Sequence, residues 1–189
     1  MNIQKYITNA KKEIEGSHKE WIDDLLLRLS KGGTIFEVGS ATGRDADYME
    51  NMNPEITVIR SDKETEFIEH IKRVGKEAII FDILKDRFNH NTKYTSFYSH
   101  MVINHFTLEE VSHVLSTTKL AVEKNGYISI SFPLGDNSTL VEWNSIAGNI
   151  FCRYHSIQEI VDISTKLGIH FVYLNETQDK KMCYVTFQV

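Results

Sequence analysis

The run Ile35-Phe36-Glu37-Val38-Gly39-Ser40-Ala41-Thr42-Gly43-Arg44-Asp45 constrains the fold more than any other part of the chain. An apolar stretch with strand character leads straight into a turn of small residues, and the turn opens a helical pattern. Gly39, Ala41 and Gly43 let the backbone come close to a ligand, and the N–H groups of the following helix start have no intrahelical partner. A strand, a tight turn and a helix in that order make the first corner of an α/β unit and a cradle for a nucleotide-like ligand.

The flanking sequence keeps the alternation going. Trp21, Ile22, Leu25, Leu26 and Leu29 recur at helical spacing, which predicts an amphipathic helix over Ser17 to Leu29, ended by Lys31-Gly32-Gly33. Strands are expected at Thr34 to Val38, Ile56 to Arg60, Ala78 to Phe81, Ser96 to Val102, Tyr127 to Phe132, His170 to Leu174 and Met182 to Val189. Helices are expected at Arg44 to Asn51 and Lys63 to Val74, the latter stopped by Gly75. Thr107-Leu108-Glu109-Glu110 and Ser156-Ile157-Gln158-Glu159 read as capping boxes. The first starts a helix whose inward stripe is Leu108, Val111, Val114, Leu115, Thr118 and Val122, closed by Asn125-Gly126. The second starts one with Ile157, Ile160, Val161, Ser164 and Leu167 inward, ended by Gly168. A long connection is expected from Pro133 to about Tyr154. Residues 176–181 are too few for a parallel crossover, so the last two strands must run antiparallel.

Composition narrows the function classes. The chain has 189 residues, enough for one well-buried core, with 41% hydrophobic and 25% charged residues, which fits an ordinary globular domain. Its longest apolar runs, such as Ala78-Ile79-Ile80-Phe81, fall far short of the ~20 residues of a membrane span. The first sixteen residues carry neither the apolar core nor the cleavage site of a signal peptide, so a cytoplasmic location is expected. Cys152 and Cys183 form no C-x-x-C pair and read as packed hydrophobes. A net charge of −5 without a Lys/Arg block argues against nucleic acid as partner and favours small molecules. The remaining histidines are scattered without ligand spacing, so no metal site is expected.

Glu37 bears on the ligand. A carboxylate at the strand's end repels a pyrophosphate and favours an ammonium, which suits the amino-acid end of S-adenosylmethionine better than NAD. From about Thr34 onward the chain resembles the class I S-adenosylmethionine-dependent methyltransferases. Glu37-Val38-Gly39-Ser40-Ala41-Thr42-Gly43 matches their acidic-x-Gly-x-Gly-x-Gly motif, with Ala41 in place of the middle glycine. Arg44-Asp45-Ala46 resembles the Gly-Arg-Asp-Ala helix start of a small-molecule branch. The resemblance implies a three-layer α/β/α sandwich, Rossmann-like, with a seven-stranded, mostly parallel sheet and a C-terminal antiparallel strand. It implies a single domain over residues 1–189, with 1–33 as a helical cap on a core of 34–189. The cofactor is then S-adenosyl-L-methionine, the partner a small methyl acceptor, and the assembly a monomer or homodimer.

The resemblance also places site residues. Glu37, Gly39, Ser40, Ala41, Gly43 and Asp45 fall in the cofactor cradle. Asp62 sits just past strand two, about 20 residues from the glycines, where ribose hydroxyls would lie; with Lys63 beside it, it also reads as a helix cap. Asp82 falls where the family contacts the adenine amino group and Ile83 where the base packs, although an Asp after a strand is ordinary turn chemistry too. His100 aligns with the residue flanking the methionine portion, an unusual choice there. His105 is the candidate general base, with backbone-carbonyl bonding as its structural alternative. Trp143 and Tyr154 are candidate substrate contacts or loop anchors in the 133–154 connection. Two rival readings remain at this point: a binding-only partner or regulator that keeps the cradle, and an NAD-dependent enzyme.

Overall fold

In a computed structural model of the protein, residues 2–29, 31–89, 91–135, 140–145 and 148–189 are described, those of 143–145 as backbone only. The described elements run α1 (Ile3–Asn9), α2 (Gly16–Arg28), β1 (Gly33–Val38), α3 (Arg44–Met52), β2 (Ile56–Asp62), α4 (Thr65–Arg73), β3 (Ala78–Ile80), β4 (Tyr94–Ser99), a 3-10 turn (Ile103–His105), α5 (Leu108–Ala121), β5 (Val122–Pro133), β6 (Leu140–Ser145), β7 (Gly148–Arg153), α6 (Ile157–Leu167), β8 (His170–Glu176) and β9 (Met182–Gln188). Seven strands form one sheet in the order β3-β2-β1-β4-β5-β9-β8. Neighbours from β3 to β5 pair in parallel, whereas β9 runs antiparallel to both β5 and β8. The order reverses between β1 and β4, so the turn after β1 sits at the topological switch point, where open α/β sheets bind ligands.

Strand alternation sends side chains to two cores. Phe36, Val38, Phe97, Ile128 and Ile130 face one side, under Val111, Val114 and Leu115 of α5 and Ile160 of α6. Ile35, Val58, Tyr98 and Tyr184 face the other, under Trp21, Ile22 and Leu25 of α2 and Ala46 and Met49 of α3. Both capping boxes form, at Thr107/Glu110 and Ser156/Glu159, and Gly168 ends α6 at φ 62° in the left-handed region.

Several boundaries differ from the sequence reading: β2 runs on to include Asp62, placed just past it from sequence, and four larger differences have a local reason. The 133–154 connection is not wholly irregular: β6 and β7 pair antiparallel as a separate two-stranded sheet. Residues 146–147, between them, carry no Asn-Gly or Asp-Gly signature, so the sequence does not announce the hairpin. Val122 does not belong to the α5 stripe but opens β5, opposite Tyr94, and Asn125-Gly126 lies inside that strand, where pairing with β4 shifts register between Tyr94 and Ser96. β4 ends at Ser99 rather than Val102, because Met101 turns to φ 57° and its N–H goes to Ser131 Oγ at 3.0 Å. α4 starts at Thr65 rather than Lys63, since the N–H of Glu64 is taken by Asp62 at 3.0 Å.

Candidate active site

The turn after β1 is anchored from both sides by serines at strand ends. The N–H groups of Gly39 and Ser40 both donate to the Ser61 carbonyl at 2.9 Å, and the Ser61 hydroxyl donates to the Glu37 carbonyl at 2.6 Å. From β4, the Ser99 hydroxyl donates to the Val38 carbonyl at 3.1 Å. Gly39, Ala41 and Gly43 have φ of 79°, 47° and 80°. A Cβ on Gly39 would stand 2.3 Å from a Val102 methyl, so close approach as well as backbone conformation requires glycine there.

Glu37 points to the same face of β1 as Ile35 and is 2% exposed. One carboxyl oxygen accepts the Ser40 hydroxyl; the other has no partner among the described residues and is not among the polar atoms sealed from solvent. Burial, reinforced by the charge of Asp45, pushes its pKa up to about 8 against the help of Ser40. An ammonium arriving at the open oxygen would restore the ionised form. Asp62 takes the Ala41 N–H at 3.1 Å on one oxygen and the Glu64 N–H on the other, tying the turn to the start of α4. Burial raises its pKa despite those two donors, and each oxygen keeps a lone pair for a hydroxyl. These donor and acceptor sets fit an adenosyl amino acid, with its ammonium at Glu37 and its ribose at Asp62.

The other sequence-assigned residues fall into two groups along the carboxyl edge of the sheet. Lys63 is exposed and within electrostatic reach of Asp62, Asp82 and His105. Asp82 follows β3 and spends its carboxylate on the Leu84 N–H and Lys85, both at 3.1 Å; these outweigh burial and hold its pKa below the ordinary range. That is the turn chemistry weighed against adenine contact. Ile83 is 3% exposed and packs in the α5/α6 core. His105 is exposed on the 3-10 turn, with Nδ1 3.3 Å from the Phe151 carbonyl of β7; desolvation and Lys63 lower its pKa. This is the carbonyl-bonding alternative, with Nε2 left open. Tyr154 packs over Gly135, where an added Cβ would stand 2.5 Å from its own Cβ. The Trp143 side chain lies outside the described residues.

Asp45 is the hub of the second group. Its Oδ2 receives the Tyr98 hydroxyl at 2.8 Å and lies 3.1 Å from His18 Nε2, and its Oδ1 receives Arg44 Nε at 2.8 Å. Burial opposes ionisation, but the His18 hydrogen bond and the electrostatic influence of the two imidazoles and of Arg44 hold its carboxyl well below the ordinary range. His100 stacks on His18 with ring centroids 3.9 Å apart, and Tyr184 lies parallel to both, 5.8 Å from His18 and 6.1 Å from His100. Sequence reading did not single out His18, Tyr98, Tyr184 or the anchoring serines. A signal for His18 existed: it stands three, four and seven residues before Trp21, Ile22 and Leu25, a titratable group on the buried stripe of α2.

A cleft of about 410 Å³ opens beside this cluster, lined by Lys11, Ser17, His18, Arg44, Thr177 and Tyr184 among others. Arg44, which follows the cradle turn, is the nearest of its lining residues to the cradle in sequence; a second groove of about 430 Å³, between the loop after β3 and α5, lies away from the turn, and neither lining includes Glu37, Asp45 or residues 39–43. α1 packs on α4 through an edge-on Tyr6–Phe67 contact at 5.4 Å, and Tyr6 feels the charges of Arg44, Asp45 and Asp62.

No protein-family model matches the sequence and no curated protein matches it. Solved structures do. A DhpI–SAM–HEP complex is similar at TM-score 0.74 and 14% identity over 99% of this chain and 94% of that one. The glycopeptide N-methyltransferase MtfA, complexed with S-adenosylhomocysteine, is similar at 0.73 and 10% identity over 97% and 95%. An S-adenosylmethionine-dependent methyltransferase from Mesorhizobium loti is similar at 0.68 and 11% identity over 88% and 96%. The fold of the chain is therefore that of the class I S-adenosylmethionine-dependent methyltransferases.

Proposed function

We propose that the protein transfers a methyl group from S-adenosylmethionine to a heteroatom of a small molecule, releasing S-adenosylhomocysteine. The observation that carries this reading is the buried Glu37 carboxyl, with one oxygen open beside a turn that demands glycine. Such a site favours an ammonium and disfavours the pyrophosphate of NAD. Structures of the same fold support it: DhpI was solved with S-adenosylmethionine, and a didemethyltoxoflavin N1-methyltransferase with its small acceptor and S-adenosylhomocysteine.

When bound, S-adenosylmethionine supplies a methyl group already activated on a sulfonium. The chain's own residues then have mainly to position the reactants, and alignment of this kind accounts for several kcal/mol of a barrier. Glu37 and the 39–43 turn hold the amino-acid end, and Asp62 orients the ribose. Asp82 and Ile83 border the adenine, and His100 flanks the methionine portion. The acceptor enters beneath the N-terminal segment and the 133–154 connection, where Trp143 and Tyr154 are its candidate contacts. His105 is the candidate for the acceptor's proton that the sequence alone offers; were it to take that proton, His105→Ala would lower turnover and leave cofactor affinity nearly intact.

Titration calorimetry tests the reading. Heat with S-adenosylmethionine or S-adenosylhomocysteine and none with NAD supports it, and the reverse pattern overturns it. A metabolite screen with methyl-labelled cofactor then identifies the acceptor, while binding without label transfer to any acceptor points to a binding-only protein.

A further inference from the structure

Resting on the methyl-transfer reading, we propose that His18 is the group that takes the proton from the acceptor's nucleophile, as the outer member of a buried His18–Asp45–Tyr98 cluster facing the 410 Å³ cleft.

The hydrogen bonds assign the tautomer. Nε2 lies 2.9 Å from the Tyr98 hydroxyl and 3.1 Å from Asp45 Oδ2; the hydroxyl gives its proton to Asp45 and an ionised carboxylate only accepts, so both contacts require the proton on Nε2. Neutral His18 therefore carries its lone pair on Nδ1. Among the described residues that nitrogen has no hydrogen-bond partner, it is not one of the polar atoms sealed from solvent, and His18 is one of the residues that line the cleft. Carboxylate, imidazole with a fixed tautomer, and an open basic nitrogen is the arrangement that lets a histidine accept a proton and hold the resulting imidazolium.

The surroundings favour His18 over its neighbours. On α3 it faces Asp45 and Arg44, on β4 Tyr98, after β4 His100, and on β9 Tyr184; Glu15, Lys11 and Glu13 belong to its own flank. Among the described residues only Asp45 is an anion in direct contact with the ring, and Arg44 is itself paired with the other Asp45 oxygen at 2.8 Å. His100 is held at Nδ1 by Ser131 Oγ at 2.7 Å, and burial together with His18 pushes its pKa down to about 3, so it stays neutral beside the reacting group. His105 has no carboxylate partner among the described residues and sits exposed at the rim.

The step balances as a displacement. The bond from nucleophile to methyl carbon forms as the methyl–sulfur bond breaks and its electron pair goes to sulfur. The nucleophile's proton passes to His18 Nδ1, the imidazolium is held against Asp45, and the proton then leaves to water through the cleft.

Sinefungin carries an amino group where S-adenosylmethionine carries its sulfonium methyl, so it places an N–H donor at the transfer position and serves as the probe, with S-adenosylhomocysteine as reference. Calorimetric affinities are measured on the full chain for wild type, His18→Gln, whose amide can still donate to Asp45, and His18→Ala. Sinefungin affinity should fall about tenfold or more in both variants, as expected when a hydrogen bond to a charged group is lost, while S-adenosylhomocysteine affinity shifts less than about threefold. Equal loss of both ligands, or loss of neither, overturns the proposal. If wild type binds neither, the methyl-transfer reading itself falls, a result seen before any variant is made. Should the variants not fold, imidazole nitrogen spectra of the histidine-labelled wild type decide. The His18 ring, assigned by contact with the Tyr98 hydroxyl, should show a bare Nδ1 that shifts when sinefungin replaces S-adenosylhomocysteine, and no shift overturns the proposal.

Discussion

The two faces of the sheet are built differently. Under α5 and α6 the core is mainly apolar, from Phe36 and Phe97 through Val114, Leu115 and Ile130 to Phe187, with the small hydroxyl residues Thr118 and Ser164 buried on the helices themselves. Under α2 and α3 the same sheet buries Glu37, Asp45, His18 and Tyr98, and Trp21 Nε1 donates to Thr186 at 3.1 Å, itself 2.9 Å from the Ser129 hydroxyl. Buried polar groups cost stability unless they are paired, and a cluster that keeps open atoms has them for something other than folding. On the proposed function, one face supplies the stability that lets the other carry chemistry.

Substitution on the apolar face should produce the largest change in stability and none in recognition. Leu115 is fully buried, and Leu115→Ala should cost about 2–5 kcal/mol in urea unfolding, with S-adenosylhomocysteine affinity of the folded fraction unchanged. A loss of affinity comparable to the loss of stability would dissolve the contrast between the faces.

The polar face should betray itself by pH. Glu37 titrates at about 8 in the fold against its ordinary 4.5, so the fold favours the protonated acid. Its contribution is therefore fully present below pH 4.5 and is lost as pH rises through 8, at up to about 1.4 kcal/mol per pH unit. Asp45 has the opposite sign: its carboxyl is depressed, so its contribution is present above its ordinary 3.8 and lost only in acid. Unfolding measured between pH 5 and 8 should show a decline that Glu37→Gln flattens. A decline of equal slope in the variant would place its origin elsewhere.

A smaller effect separates recognition from packing within the cradle. Asp62→Ala should weaken S-adenosylhomocysteine binding about tenfold or more, roughly the 1.4 kcal/mol of a lost charge-assisted bond. Unchanged affinity would leave Asp62 as a tie between the turn and α4. Last, Thr107→Ala removes one capping box and should cost about 1 kcal/mol of stability with no change in binding.

Legibility followed the same division. The cradle turn, both capping boxes and the antiparallel last strands could be read from sequence because local geometry dictates them: glycine where φ is positive, Ser or Thr three residues before Glu, and a link too short to cross a sheet. The polar cluster could not. His18 and Asp45 are 27 residues apart, and Tyr98 is 80 from His18, so only the fold brings them together. The β6–β7 hairpin stayed hidden for want of a turn signal, and β5 because Asn125-Gly126 read as a helix stop rather than an irregularity within a strand. His105 and Asp82 were assigned by position, and their local hydrogen bonds, to the Phe151 carbonyl and to Leu84 and Lys85, become visible only in the fold.

The most direct test of the account is a crystal structure with S-adenosylhomocysteine. The account predicts the ribose hydroxyls on Asp62, the backbone of Gly39 to Gly43 against the amino-acid end, and the ammonium at Glu37. The homocysteine moiety seated elsewhere, or the turn closed over by side chains with the ligand in another cleft, would contradict it.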